Sequence, residues 1–378
     1  MESLPQKRVT CSSCEKCKSK KPNVFNRNKY LCFECLEGII NHKFRSNLRT
    51  TCKIRHEDNV LVCVSGGNSS MCMLNMFYKT FFETKSKRKL FFKVKVVHID
   101  ESLFLKDKTQ IAYQREQNTK FLKELCSKYH FEIDILNLED IFLIKTNEHK
   151  NTEINMDLIN KYLHLFNKIV PNGGFRKQFL NISIQNLIFN HAIKNSFSKI
   201  VFGNSGQGMV VDMFTKITTG NGNNIRHFTS YTDDLYLGGK IQIIKPLKDF
   251  FKKEILYYNH FNKVDILYPP IYPDKTELIL ERFFDKLQNT KISTIPSVIN
   301  TSEKLILVKS EDTEIKKCSI CLGIIDKKRS ELEFGNIING IDDILKQRLC
   351  YGCMRMFVNF KEVNEIKELM DLFEIFQI

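Results

Sequence analysis

Residues 59–70, Asn-Val-Leu-Val-Cys-Val-Ser-Gly-Gly-Asn-Ser-Ser, constrain the architecture of this chain more than any other stretch. Val60, Leu61, Val62, Cys63 and Val64 form a short apolar run with three β-branched residues. That is the pattern of a central strand covered on both faces. Ser65, Gly66 and Gly67 then turn the chain. The two glycines lack a Cβ, so the backbone can take positive φ and come close to a ligand. Asn68, Ser69 and Ser70 supply N-cap side chains, and an amphipathic helix follows through Met73, Leu74, Phe77, Tyr78 and Phe81. Strand, glycine turn and helix N-terminus together make a cradle for an anion. A plain strand-to-helix turn without a ligand has the same letters, so the rest of the chain must decide.

The pattern of strand then helix repeats downstream. A second buried strand at 94–99 runs into Asp100 and Glu101, acids at the strand end where an α/β sheet contacts a nucleotide. A helix at 110–129 and a third strand at 131–138 follow. Residues 141–170 read as a polar crossover with short helical patches. Pro171, Asn172, Gly173 and Gly174 form a loop before a helix opened by Phe175, Arg176, Lys177 and Gln178. A fourth strand at 199–202 ends in a second glycine-rich turn, Gly203 to Gly208. A fifth strand at 241–247, a helix at 252–261, a proline-rich loop at 268–273 and a helix at 277–287 complete the series. Two glycine turns at the ends of parallel strands point to one crevice, and the alternation predicts an α/β fold with a doubly wound parallel sheet. Residues 289–317 read as a linker with one strand at 305–309. Residues 363–376 read as a helix packed on the main domain. The expected division is a module at 1–55, an α/β domain at 56–288 and a C-terminal region at 289–378.

Thirteen cysteines in a chain without a signal-peptide pattern argue against a disulfide framework. Their spacing points to metal instead. Cys14 and Cys17 pair as Cys-x-x-Cys, and Cys32 and Cys35 do so fourteen residues later. Two such knuckles make a closed, tetrahedral, all-cysteine zinc site of the structural kind. Cys11 lies three residues before Cys14 and can replace one ligand or stand by. Cys318, Cys321, Cys350 and Cys353 form a second set, so two Zn2+ ions are expected. The net charge of +15 is uneven: residues 1–55 hold thirteen Lys and Arg against four Glu. A helix at 36–49 carries His42, Lys43, Arg45 and Arg49. A basic helix leaving a zinc module suits phosphate contacts to a polyanion, and Lys43, Arg45 and Arg49 are the candidate RNA-contacting residues. No run approaches ~18 uncharged apolar residues, so no membrane span is expected, and the polar start points to a cytoplasmic protein.

The order of these motifs resembles the eukaryotic cytoplasmic tRNA thiolases of the PP-loop, or ATP pyrophosphatase-like, family over nearly the whole chain. The resemblance rests on the Cys-x-x-Cys pairs, the basic helix, Ser65-Gly66-Gly67, the strand ending at Asp100-Glu101, the Phe175-Arg176-Lys177-Gln178 helix, the Gly203 turn and Pro246-Leu247-Lys248. Glu15-Lys16-Cys17-Lys18, the Ser-Gly-Gly-x-Ser-Ser loop and Leu349-Cys350-Tyr351-Gly352-Cys353 favour the second subunit of these heterodimers over its catalytic sister. The resemblance implies Ser65, Gly66, Gly67, Ser69, Ser70, Asp100 and Gly203 as a degenerate nucleotide or phosphate site. It implies a catalytic PP-loop partner that uses ATP and Mg2+, a tRNA substrate thiolated at the wobble uridine of tRNAs for Lys, Glu and Gln, and a thiocarboxylated ubiquitin-related sulfur carrier.

The departures from the pattern bear on chemistry. Active members place Asp where Ser69 stands, and Ser69 removes a ligand for the Mg2+ that bridges nucleotide phosphates. Active sisters place cysteines before the Phe-Arg helix and in the later proline loop, and residues 169–173 and 268–273 hold none. Their acid-rich turn becomes Gly203-Asn204-Ser205-Gly206-Gln207, without an acid before Asp212. Outside the two sets of zinc knuckles remain Cys11, Cys52, Cys63, Cys72 and Cys126, of which Cys72 alone lies beside the crevice. The reading that follows is a non-catalytic, tRNA-binding subunit. The alternatives are an active tRNA-adenylating or sulfur-transferring enzyme with an altered loop, and a zinc-dependent nucleic-acid-binding protein outside thiolation.

Overall fold

The apolar run at Val60 becomes the inner strand of a six-stranded sheet. The structure, a computed structural model, describes residues 12–83, 92–105, 107–144, 154–170, 174–222, 225–233, 239–267, 275–305, 316–325, 348–360 and 363–376. A short hairpin comes first, β1 (Val24–Asn26) and β2 (Lys29–Leu31), followed by α1 (Phe33–Ser46). The sheet contains β3 (Asn59–Cys63), β4 (Lys93–Asp100), β5 (Glu132–Asn137), β6 (Lys199–Phe202), β7 (Thr232–Asp233) and β8 (Gln242–Ile244). Its order is β5-β4-β3-β6-β8-β7. All neighbours are parallel except the β7–β8 edge, which is antiparallel.

The helices are α2 (Asn68–Tyr78), α3 (Lys108–Lys128), α4 (Met156–Lys168), α5 (Phe175–Lys194), α6 (Gly206–Thr218), α7 (Ile225–Thr229), α8 (Lys252–Asn262), α9 (Lys275–Thr290), α10 (Thr294–Lys304), α11 (Tyr351–Met356) and α12 (Val363–Phe376). They cover both faces of the sheet, so successive residues of β3 enter different cores. Leu61 and Cys63 join one core with α4, α5, α11 and α12, whereas Val60 and Val62 join the other with α1, α2 and α8. The strand is apolar at every position because neither face meets water. A third, smaller core holds α6, α9 and α10 together through Val210, Val211, Phe284, Ile295 and Ile299.

Several elements differ from the pattern reading for local reasons. The polar crossover contains α4, whose Ile159, Tyr162, Leu165 and Phe166 face the core, with the Asn155 side chain capping the N–H groups of Asp157 and Leu158. The fifth strand stops at Ile244, just before Lys245 and Pro246 turn the chain, and Pro246 has no N–H to give to the sheet. The edge strand β7 is two residues long and gives no periodic signal. The stretch 289–317 begins with α10, which packs on α6 and α7, and its Pro296 sits in the first turn, where no intrahelical donor is lost. Residues 306–309 of the expected strand lie outside the described residues, and Leu305 is not in a strand. The helix expected at 36–49 runs from Phe33, with Cys32 at its N-cap, and passes into a π-turn at Asn47–Thr51. The C-terminal helix spans 363–376 and buries Leu372, Phe373 and Phe376 among Phe179 and Phe357.

Both flanking modules share apolar cores with the sheet. Leu36, Ile40, Phe44 and Leu48 pack in the same cluster as Phe77, Phe250 and Tyr258. Ile320, Met354, Phe357 and Phe360 pack with Phe175 and Phe179. Among the described residues, no helix is long and apolar enough to cross a membrane.

Candidate functional site

The strand β3 has β4 on one side and β6 on the other, so the connections leaving β3 and β6 diverge and open a crevice at their C-terminal ends. The Ser65–Gly67 turn lies at that point. Gly66 has φ +87°, a left-handed conformation that glycine adopts without strain. A Cβ on it would lie 2.7 Å from Leu267 Cβ, and the Leu267 N–H donates to the Gly66 carbonyl at 3.1 Å. The segment after α8 thus closes on the turn. Ser65 Oγ and Ser70 Oγ are 3.1 Å apart, and the Ser70 hydroxyl donates to the Gly67 carbonyl at 3.1 Å. Ser69, half-buried, follows exposed Asn68 in the first turn of α2. First-turn N–H groups have no intrahelical acceptor, and no backbone carbonyl elsewhere among the described residues takes up those of Asn68, Ser69 or Ser70. The anion cradle is therefore intact as backbone while lacking a carboxylate.

The second glycine turn abuts the first. A Cβ on Gly203 would lie 2.9 Å from Ser70 Cα, so glycine is needed there for packing alone. The start of α6 is spent internally: the Gly206 N–H donates to the Phe250 carbonyl at 3.2 Å, and Ser205 Oγ accepts from the Gly208 N–H at 3.2 Å.

Asp100 does not present a free carboxylate to the crevice. It is 2% exposed, and its oxygens accept from the Ser102 N–H and hydroxyl, Arg115 Nε and Asn118 Nδ2 at 3.0–3.2 Å. Arg115 also pairs with buried Glu139 at 2.7 Å. The neighbouring Glu101 remains partly open; burial pushes its carboxyl up, and the Lys177 ammonium opposes that rise. Lys177 comes from the Phe175–Gln178 opening of α5, while Arg176 ties the end of α4 by donating to the Asn167 carbonyl at 2.7 Å. Sequence reasoning missed Arg115 and Leu267. Arg115 and Asn118 share one face of α3 at i, i+3, a faint signal, whereas Leu267 gives none.

Cys14, Cys17, Cys32 and Cys35 converge, with all four sulfurs within 4.8 Å of one another. The β1–β2 hairpin brings the two knuckles together through a two-residue turn in which Arg27 and Asn28 both take positive φ. Hydrogen bonds from the Ser19 side chain and from the Ser19 and Lys20 backbones push the Cys17 thiol down to about 5. The module is fastened to α8: Arg27 Nε donates to Glu254 Oε1 at 2.7 Å and Asn26 Nδ2 to the same oxygen at 2.9 Å. Of the basic helix residues, Lys43 turns inward. Its ammonium donates to the Asp249 carbonyl at 2.8 Å over the Phe250 ring, and burial lowers its pKa. Arg45 is half-buried and Arg49 exposed. Lys43 therefore docks the module, and the outward basic face is narrower than the sequence suggests.

Cys318, Cys321, Cys350 and Cys353 form the second cluster, also within 4.8 Å and all buried. Cys350 holds the N-cap position of α11, as Cys32 does that of α1. The sulfurs of Cys17 and Cys32 are 3.8 Å apart and those of Cys321 and Cys350 3.6 Å, beyond any disulfide bond. Four sulfurs at such separations can hold one metal ion in each cluster. The other described thiols stand apart from these clusters. Cys52, Cys63, Cys72 and Cys126 are buried, and burial pushes each thiol up, Cys52 to about 12 and Cys126 to about 11. Cys72 lies on α2 beside the crevice but points into the core. Cys11 and the loops at 171–173 and 268–274 lie outside the described residues.

No family model matches the chain. It is similar over most of its length to proteins called Cytoplasmic tRNA 2-thiolation protein 2. The Danio rerio protein is 26% identical over 367 residues, covering 83% of this chain and 72% of that protein. The Dictyostelium discoideum protein is 29% identical over 314 residues, with 80% of this chain against 56% of the relative. The Schizosaccharomyces pombe protein is 24% identical over 352 residues, covering 90% of this chain and 91% of that protein. Among solved structures, the U34-tRNA thiolase NcsA from Methanococcus maripaludis, with its [4Fe-4S] cluster, superposes with a TM-score of 0.57 at 14% identity, covering 80% of this chain and 92% of the other. The sheet with its covering helices thus has the PP-loop thiolase fold.

Proposed function

We propose that this relative of the cytoplasmic tRNA 2-thiolation 2 proteins is a non-catalytic, tRNA-binding subunit of a cytoplasmic heterodimeric tRNA thiolase. In this reading a catalytic PP-loop partner activates the wobble uridine of tRNAs for Lys, Glu and Gln with ATP and Mg2+. Sulfur arrives from a thiocarboxylated ubiquitin-related carrier. One observation carries the non-catalytic role: the cradle at the switch point keeps its backbone but has Ser69 where a metal-binding carboxylate is needed, and Asp100 is consumed by Arg115, Ser102 and Asn118. Among the described residues, the thiols outside the metal-binding groups, Cys52, Cys63, Cys72 and Cys126, are buried, which supports it, since sulfur transfer needs an accessible thiolate. What remains at Ser65, Gly66, Gly67, Ser70 and Gly203 is a packing turn that can still receive a phosphate.

Each four-cysteine group is assigned one structural Zn2+. A tetrahedral ion with sulfur at about 2.3 Å places its ligands about 3.8 Å apart, close to the 3.8 and 3.6 Å separations here. A four-iron cluster binds each thiolate to a different iron and spreads the sulfurs further. Bound zinc fixes the knuckles and does no chemistry on the tRNA. In this reading the tRNA meets α1 and the π-turn that follows it, through half-buried Arg45 and exposed Arg49, while Lys43 holds the helix to the sheet.

The test has two parts. The purified chain with ATP, Mg2+ and tRNA should release no pyrophosphate above background, and robust release by the chain alone overturns the non-catalytic role. Reversing charge at Arg45 and Arg49 should weaken tRNA binding and flatten its salt dependence by about 0.7–0.9 of a slope unit per lost phosphate contact. An unchanged slope removes α1 from the RNA interface.

A further inference from the structure

We propose that Asn221 is the hydrogen-bond donor that positions the Cys350 thiolate in the C-terminal metal site. The assignment rests on the proposal that this cluster holds a metal ion. Asn221 follows α6 in the turn that ends that helix. Its Oδ1 lies 3.1 Å from Cys350 Sγ, and the two residues are 4% and 5% exposed. Its backbone N–H donates to the Lys216 carbonyl at 2.8 Å, which fixes the turn. Gly220, at φ +86°, lies close against the Tyr351 ring, where a Cβ would come within 2.6 Å of Cδ1. On the other side, Gly352 leaves space for the amide: a Cβ there would lie 2.4–2.6 Å from Asn221 Nδ2, Cγ and Oδ1. The knuckle Cys350-Tyr351-Gly352-Cys353 is thus shaped around this one side chain.

Chemistry then selects the orientation. A neutral thiol donates to an amide oxygen, but a metal-bound thiolate has only lone pairs. An amide oxygen against it would be repelled. The two ends of the amide have nearly the same shape, so a half-turn about its last bond brings Nδ2–H to the sulfur without moving the backbone. The N–H···S bond draws charge from the sulfur and fixes the direction of its remaining lone pair toward the ion. The N-terminal site obtains comparable donors from Ser19 and Lys20, beside its exposed Cys17. Every cysteine of the C-terminal site is buried, and Asn221 reaches it from the sheet domain.

Cobalt(II) loading of the full chain tests this. Cys14→Ser and Cys350→Ser assign the thiolate-to-cobalt absorption and chelator release to the two sites. Asn221→Ala and Asn221→Asp should release cobalt from the C-terminal site ~10–100-fold faster and shift its charge-transfer band to lower energy, with the N-terminal site unchanged. The N-terminal signal shows in the same sample that the chain is folded, and Asn221→Ala serves if Asn221→Asp does not fold. Wild-type release and an unshifted band in folded Asn221→Ala overturn the assignment alone. A wild-type chain that takes up one cobalt, unaffected by Cys350→Ser, overturns the metal reading and this assignment with it.

Discussion

Asp100 stands at the end of β4, where sheets of this kind put acids that meet nucleotides, yet its carboxylate is enclosed by Arg115, Ser102 and Asn118. Position in the sheet was legible from the sequence, because it follows from an apolar run of known length. Commitment of the side chain was not, because the arginine that claims it sits fifteen residues away on a helix. The same holds more strongly for Glu254. Its partners Asn26 and Arg27 lie more than 220 residues away, in a hairpin recognisable only as a zinc knuckle. Burial alone would push the Glu254 carboxyl up, but the bonds from Arg27, the Phe251 N–H and Asn26 hold it below the usual 4.5. A carboxylate depressed by folding adds stability above its unfolded pKa and loses it as pH falls through the folded value. Glu254→Gln should therefore cost about 1–2 kcal/mol at pH 7, toward the low end for charged hydrogen bonds because Arg27 is 41% exposed. Urea unfolding of wild type and variant should converge as the pH falls through the depressed folded pKa of Glu254; a gap independent of pH would show that the charge contributes nothing.

At the scale of elements, the two glycine turns were read as one phosphate-binding crevice, and the structure separates what packing requires from what a ligand requires. Gly66 needs its left-handed conformation under Leu267. Gly203 needs only the absence of a side chain, because the backbone of Ser70 occupies the space. At Gly208, five residues on, an added methyl would meet its nearest atom, Ser205 Oγ, at 3.4 Å. Two glycines of one motif should thus respond in opposite directions to alanine. Gly203→Ala pushes β6 away from α2 and should cost about 1–3 kcal/mol. Gly208→Ala lies in the first turn of α6 and should gain up to about 0.5–1 kcal/mol from helix propensity. Thermal melts of both variants decide this, and a neutral Gly203→Ala would mean that the turn has room to spare. The helices α4 and α10 show the complementary limit of sequence reading. Each carries an apolar stripe, but Asn- and Lys-rich flanks dilute it until the covering core is known.

For the whole molecule, the two four-cysteine groups are parts of the sheet's own cores. Cys14 and Cys32 belong to the cluster containing Val60 and Phe77, and Cys318, Cys350 and Cys353 to the cluster containing Leu61 and Phe179. An independent zinc module would lose its metal and unravel while the remaining domain stayed folded. Among the described residues, neither set of knuckles has an apolar core apart from the sheet, so loss of either proposed ion would expose residues that cover a face of it. Structural zinc contributes about 10–16 kcal/mol in small peptides, comparable with the roughly 5–15 kcal/mol that holds a whole domain together. Prolonged treatment of the full chain with a strong chelator should therefore abolish the main cooperative unfolding transition. Cys14→Ser and Cys350→Ser should each lower that same transition, and each should release one zinc equivalent. Calorimetry distinguishes this from modular behaviour. If chelation leaves the main transition in place and only adds a small one at lower temperature, the metal sites are appendages, and the shared cores do not couple them to the sheet.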